Sequence, residues 1–202
     1  MTAATAARVM FYAMDVSDSA SVVATSNAIE AEIGPVHGLV VNAAYAFFSP
    51  SIAHNEEEWR RVIDVNLNGA FLCVRAFGQP MLERGGSVVL ISSIAARTSV
   101  GPHLAYSASK VALSHMAAVL GVEWAEHGVR VNALEPGYTA TSAIEHLKED
   151  APEVASSIEN TIPIKRFLRP DEIASPTCFL LSDWASGMTG SVVIADGGMS
   201  AK

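Results

Sequence analysis

SVVLISSIAARTSVGPHLAYSASKVALSHMAAVLGVEWAEHGVRVNALEPG, residues 87–137, decides the fold. Its two ends, Ser87 to Ile91 and Val129 to Leu134, are short continuous apolar runs of the kind that form strands covered on both faces. Between them Ala105 to Glu126 reads as a helix, because Leu113, Met116, Ala117, Leu120 and Trp124 recur at three- and four-residue spacing and mark one buried stripe. Strand, helix and strand in that order make a parallel pair joined by a right-handed crossover. The same units continue outward. Val9 to Met14 and Gly38 to Val41 read as strands upstream and Ser191 to Ala195 downstream, with helices expected over Ser19 to Ile33, Glu56 to Phe77 and Pro170 to Leu181. The last of these opens on proline followed by Asp171 and Glu172, a helix-start pattern. The alternation predicts an α/β chain of three layers, a parallel sheet with helices on both faces.

With 202 residues, half of them hydrophobic, the chain is long enough for one core, and no repeat or linker divides residues 1–202. Scattered basic residues and a net charge of -8 disfavour a phosphate-backbone partner, so nucleic acid is not expected. No run reaches the roughly 18 apolar residues of a membrane span, and Val9 to Met14 is too short for a secretory signal before Asp15 interrupts it. Cys73 and Cys178 each lie in an apolar helical stretch and read as reduced core residues, which fits a cytoplasmic setting. His37, His54, His115, His127 and His146 lack ligand spacing, so no metal is expected.

In parallel sheets ligands bind beyond the carboxyl ends of the strands. Those ends are followed by Asp15, by Asn42 with Ala43 and Ala44, by Ser92 and Ser93, by Glu135, Pro136 and Gly137, and by Asp196 with Gly197 and Gly198. Each has a plainer role as well, since Asp or Ser after a strand caps the next helix and paired glycines permit a turn. Tyr106 and Lys110, four apart at a helix start, project from one face, and Ser93 lies just past the preceding strand. A tyrosine ionises near pH 10, so acid/base work at neutral pH requires its pKa to fall by roughly three units, about 4 kcal/mol, and a neighbouring ammonium can supply much of that. A rival reading takes Ser107 and Lys110 as the Ser-x-x-Lys pair of an acyl-transfer enzyme, but the Ser-Asp-Asn and Lys-Thr-Gly motifs of that class are absent.

Six separated features stand in order: Asp15-Val16; Asn42-Ala43-Ala44; Asn66 within Val65-Asn66-Leu67-Asn68-Gly69; Ser93 thirteen residues before Tyr106-Ser-Ala-Ser-Lys110; Asn132 to Gly137 with Thr139; and Asp196-Gly197-Gly198. In this the chain resembles the short-chain dehydrogenase/reductase family over nearly its whole length. The resemblance implies a Rossmann-like domain, hydride transfer between NAD or NADP and a small neutral alcohol or ketone, and assembly as a homodimer or homotetramer. It implies Tyr106 as general acid/base, Lys110 holding the nicotinamide ribose and lowering the tyrosine pKa, Ser93 binding the substrate oxygen, and Asn66 ordering a proton-relay water. Asp15 and Val16 would face the adenine, Asn42, Ala43 and Ala44 the nicotinamide-side ribose, and Pro136, Gly137 and Thr139 the nicotinamide.

The chain departs from the family pattern at its start. Family members open with a strand, a Gly-x-x-x-Gly-x-Gly turn and a helix, whereas the first glycine here is Gly34, and Gly85-Gly86 precede a strand. The expectation is a domain missing its first two strands, with an open sheet edge unless the Val9 strand moves inward to pair. Cofactor affinity is expected to fall by roughly a hundred-fold or more with the lost phosphate contacts. Ala44 stands where the family has glycine, and an alanine held at positive φ costs about 1 kcal/mol. Residues 139–164 read as a lid with two short helical patches, and Tyr45, Phe47, Phe48, His103 and Tyr138 as candidates for an uncharged, partly aromatic pocket. A second functional reading is a non-catalytic paralogue that acts by associating with a full-length partner.

Overall fold

Four of the five apolar runs form strands, in a computed structural model that describes residues 9–98 and 101–201. The elements in chain order are α1 (Ser19–Glu32), β1 (Gly38–Val41), α2 (Glu56–Ile63), α3 (Gly69–Arg84), β2 (Gly86–Ile91), α4 (Leu104–Glu123), β3 (Val129–Pro136), α5 (Ser142–Asp150), α6 (Pro152–Thr161), α7 (Pro170–Leu181) and β4 (Val192–Ala195). The strands pair in parallel in the order β1-β2-β3-β4. Successive β2 residues explain the layers: Val88 and Leu90 pack with α1, α3 and α4, whereas Val89 packs with Leu180 of α7. Strict alternation with both faces apolar is what a strand between two helix layers requires. Local signals start the helices as well, since Asp18 accepts a hydrogen bond from Ala20 N at 2.9 Å and Asn55 one from Glu57 N at 2.7 Å.

The expected strand over Val9–Met14 does not form. Its backbone joins no ladder, and Val9 and Phe11 are 70% and 93% exposed. Side-chain bonds tie the segment to α1 instead: Tyr12 Oη donates to Glu32 Oε2 at 2.8 Å, and Asp15 N donates to Ser21 Oγ at 2.9 Å. The segment therefore does not move inward, and β1 pairs with β2 alone among the described residues. Beside its free edge runs a cavity of about 410 Å³ lined chiefly by apolar groups, among them Met14, Val16, Leu39, Cys73 and Phe77.

The helix expected over Glu56 to Phe77 is interrupted. Residues Asp64–Asn68 form a π-helical turn closed by Gly69 N donating to Asp64 O, and the helix then continues past Phe77 to Arg84, ending where Gly85 takes φ 79°. One extra residue in a turn rotates everything beyond it, and the hydrophobic pattern on either side does not record the insertion. Cys178 is also corrected: Cys73 is buried as expected, but Cys178 lies on the exposed side of α7. No helix among the described residues is long and apolar enough to cross a membrane.

Candidate active site

Ser93 and the first turn of α4 meet at the carboxyl end of β2. Ser93 is extended, at φ -168°, and its Oγ accepts a hydrogen bond from Ala95 N at 3.1 Å while it caps the short 3-10 turn Ile94–Ala96. That bond uses a lone pair and leaves the hydroxyl proton for the Tyr106 phenol, to which Ser93 is also hydrogen-bonded. Lys110, one turn further along α4, is only 2% exposed. Its Nζ donates to Ile91 O at 2.8 Å and lies 5.5 Å from the centroid of the Tyr106 ring. Three groups that sequence spacing placed on one face thus converge, and no hydrogen bond among the described residues joins Lys110 to Ser107.

Burial dominates the electrostatics. It pushes the Tyr106 phenol above its ordinary value, and the Ser93 hydrogen bond pulls the other way. Burial also lowers the Lys110 amine to about 8, because a charged ammonium loses hydration that one carbonyl only partly replaces. The sequence reading gave the lysine the leading part in activating the tyrosine. In the structure Lys110 meets the ring face rather than the oxygen, and Ser93 is the group that touches Tyr106 and favours its ionised form.

Asn66 sits fully buried in the π turn. Its Oδ1 accepts from Tyr45 N at 2.7 Å, and its Nδ2 donates to Tyr45 O at 3.0 Å and to Ser109 Oγ at 3.0 Å. Ser109 Oγ in turn donates to Tyr106 O at 2.7 Å. The amide therefore staples the loop after β1 to the first turn of α4. The π insertion is what aims it inward, and Ser109 is a link that the sequence reading passed over although it lies within the Tyr-Ser-Ala-Ser-Lys stretch.

The expected cofactor-side residues fall into two groups. Pro136 ends β3 opposite Ala195 of β4, and a Cβ on Gly137 would stand 2.7 Å from Asp196 Cα, so only glycine permits this approach. Thr139 Oγ1 donates to Gly137 O at 3.0 Å, and Asp196 accepts from Gly198 N and Ser200 N at 2.8 and 2.6 Å, which closes the turn its glycines allow. At the same end of the sheet, on its opposite edge, Asn42, Ala43 and Ala44 are exposed after β1. Lys165 is the one non-glycine residue with positive φ among those described, so Ala44 does not adopt the strained conformation expected of it. Asp15 forms a turn with Ser17, whose hydrogen bonds hold its carboxyl below the usual carboxylate value, while Val16 packs on Gly69, where a Cβ would meet Val16 O at 3.0 Å.

The five candidate pocket residues separate similarly. Phe48 and His103 meet edge to face at 4.2 Å beside the start of α4, where Ser49 N donates to Pro102 O at 3.2 Å. Tyr45 instead donates to Glu58 at 2.8 Å under the Arg61 guanidinium, Phe47 packs on His54 and Tyr138 on Phe167. Among the described residues no three His, Cys, Asp or Glu side chains are grouped to hold a metal.

Residues 1–200 match the protein family described as enoyl-(acyl carrier protein) reductase. The chain is 38% identical over 192 residues to D-threitol dehydrogenase of Mycolicibacterium smegmatis, covering 95% of this chain and 73% of that one. It is 38% identical over 199 residues to galactitol 2-dehydrogenase (L-tagatose-forming) of Cereibacter sphaeroides, covering 97% and 76%. Among solved structures, a gluconate 5-dehydrogenase from Burkholderia cenocepacia in complex with NADP and tartrate superposes with a TM-score of 0.88 at 28% identity, over 94% of this chain and 74% of that one. Likeness of this extent, spread over nearly all of a chain whose strand-end serine, tyrosine and lysine converge, makes this protein a member of the short-chain dehydrogenase/reductase family.

Proposed function

We propose that this chain transfers a hydride between NAD or NADP and a small neutral alcohol or ketone, of which polyols are the first candidates, with Tyr106 as general acid/base. The observation that carries the reading is the convergence of Ser93, Tyr106 and the buried Lys110, whose Nζ lies 5.5 Å from the Tyr106 ring centroid, at the carboxyl end of β2. Two relatives are named for their action on polyols, and a similar structure holds NADP.

The residues fit one half of such a cofactor. An ammonium has three donors, and Ile91 O takes one of those on Lys110, leaving two for ribose hydroxyls. The tight approach at Gly137 and the hydroxyl of Thr139 suit a flat carboxamide. For the pyrophosphate, the described residues offer no glycine-rich turn between a strand and a helix, so we assign no residue to it. When bound, the nicotinamide supplies or accepts the hydride. Tyr106 gives its phenolic proton to the substrate oxygen in reduction and takes it back in oxidation. Ser93 donates a hydrogen bond to that oxygen and fixes its place while keeping its proton, and Asn66 holds the loop after β1 against the same turn of α4.

The test is a turnover assay with D-threitol and galactitol and either nicotinamide, alongside fluorescence titration with NADH and NADPH. Turnover by the native chain that falls by about a hundred-fold or more in Tyr106→Phe supports the reading, and undiminished turnover in that variant overturns it. Saturable binding lost in Lys110→Ala supports a working ribose site. Absence of binding together with co-elution with a full-length relative would establish the second reading, a non-catalytic associating paralogue, for which the unpaired edge of β1 is the structural argument.

A further inference from the structure

Behind the catalytic corner lies a polar chain that the mechanism above does not use. Glu135, the penultimate residue of β3, is 1% exposed, a position where a carboxylate persists only if it is paired. Its Oε2 accepts from Arg97 Nε, and its Oε1 lies 2.7 Å from Ser114 Oγ. Ser114 Oγ is also 2.8 Å from Ser92 Oγ, and Ser92 donates to the backbone oxygen of Lys110 at 2.7 Å.

The placement of Arg97 gives this chain its meaning. Ser93 caps the start of the 3-10 turn Ile94–Ala96 and Arg97 caps its end, with Arg97 N donating to Ile94 O at 2.9 Å. A turn so short is nearly rigid, so fixing Arg97 fixes Ser93. The carboxylate therefore anchors one arm through Arg97 to the turn bearing Ser93 and a second arm directly to Ser114, a residue of the helix that bears Tyr106 and Lys110. We propose that Arg97, Glu135 and Ser114 are positioning residues, a clamp on β3 that sets the distance between the Ser93 hydroxyl and the Tyr106 phenol. This rests on the hydride-transfer reading for its effect on turnover, but the geometric claim stands apart from turnover.

Two readouts separate those layers. The first is the ¹³Cζ NMR signal of Tyr106 in tyrosine-labelled protein, assigned by its loss in Tyr106→Phe, because this carbon reports the hydrogen bond to Ser93. Glu135→Gln and Arg97→Gln are expected to move the signal in the direction that Ser93→Ala moves it, and Arg97→Lys is expected to return it most of the way. The second is kinetic: the same two variants lose roughly tenfold to a hundred-fold in kcat/KM for alcohol, with cofactor affinity unchanged. Arg97 is 45% exposed at its side chain, so its variants test the clamp even if Glu135→Gln fails to fold. A folded Arg97→Gln whose Tyr106 signal and kcat/KM match the native chain overturns the proposal. If the native chain turns over no alcohol, the hydride-transfer reading fails, and the clamp is then judged by the NMR signal alone.

Discussion

β1 and β2 are adjacent apolar strands joined residue for residue, Leu39 to Val88 and Val40 to Val89, yet they live in different surroundings. β2 has a strand on each side and helices on both faces, and Val88, Val89 and Leu90 are fully buried. Among the described residues β1 has one partner, and Val40 is 40% exposed beside a groove. The difference shows where this protein keeps its order. Ser93, Tyr106, Lys110, Gly137 and Thr139 hang on β2, β3 and the start of α4, which are held from all sides, whereas Asn42 to Ala44 and the Asp15 turn hang on the open side.

The sharpest way to break that comparison is a pair of truncations. Leu90→Ala is expected to cost about 2 to 5 kcal/mol in chemical denaturation, whereas Val40→Ala costs under about 1 kcal/mol; similar losses would mean that β1 is as enclosed as β2. A second test concerns the price of burying Lys110. With its amine lowered to about 8 from 10.5, the unfolded chain binds more protons between those values, so native stability rises with pH across that window, by about 3 kcal/mol if the residue acts alone. Lys110→Met removes that rise, and a variant whose stability follows the native pH curve would show the ammonium to be solvated.

Glycines extend the contrast. A Cβ at Gly121 of α4 would stand 2.3 Å from Gly190 N, so Gly121→Ala is expected to cost about 1 to 3 kcal/mol or more, whereas at Gly34, near β1, no atom lies within 4 Å of the added carbon. Gly34→Ala carries only the strain of φ +111°, about 1 kcal/mol. Thermal unfolding of both variants measures the gap, and a larger loss at Gly34 would reverse the ranking. The smallest expected effect is at the helix starts: Asp18→Ala and Asn55→Ala each remove one side-chain acceptor and should cost about 1 kcal/mol, read as a shift in the denaturation midpoint.

The convergence of Ser93, Tyr106 and Lys110 was legible because its signals are local. Lys110 follows Tyr106 by one helical turn, Ser93 follows its strand directly, and neither relation depends on what packs elsewhere. The Val9–Met14 segment misled for the opposite reason: its apolar character is real, but a strand exists through its partner, and here Tyr12 and Asp15 bind α1 instead. Ala44 misled in a similar way, since a positive φ inferred from the family's glycine is not adopted in this loop. Cys178 reads as core from its neighbours, but α7 turns it to solvent.

By itself the sequence determined the parallel α/β order, the strand ends where polar residues gather, and the serine, tyrosine and lysine that meet there, because hydrophobic period and short spacing are properties of the chain alone. Only the tertiary structure decided the π turn that aims Asn66, the free edge of β1, and the contact of Arg97 with Glu135 across 38 residues of sequence. Those depend on which backbone groups find partners and which buried charges find counter-charges, and such choices are made only when distant segments compete for the same space.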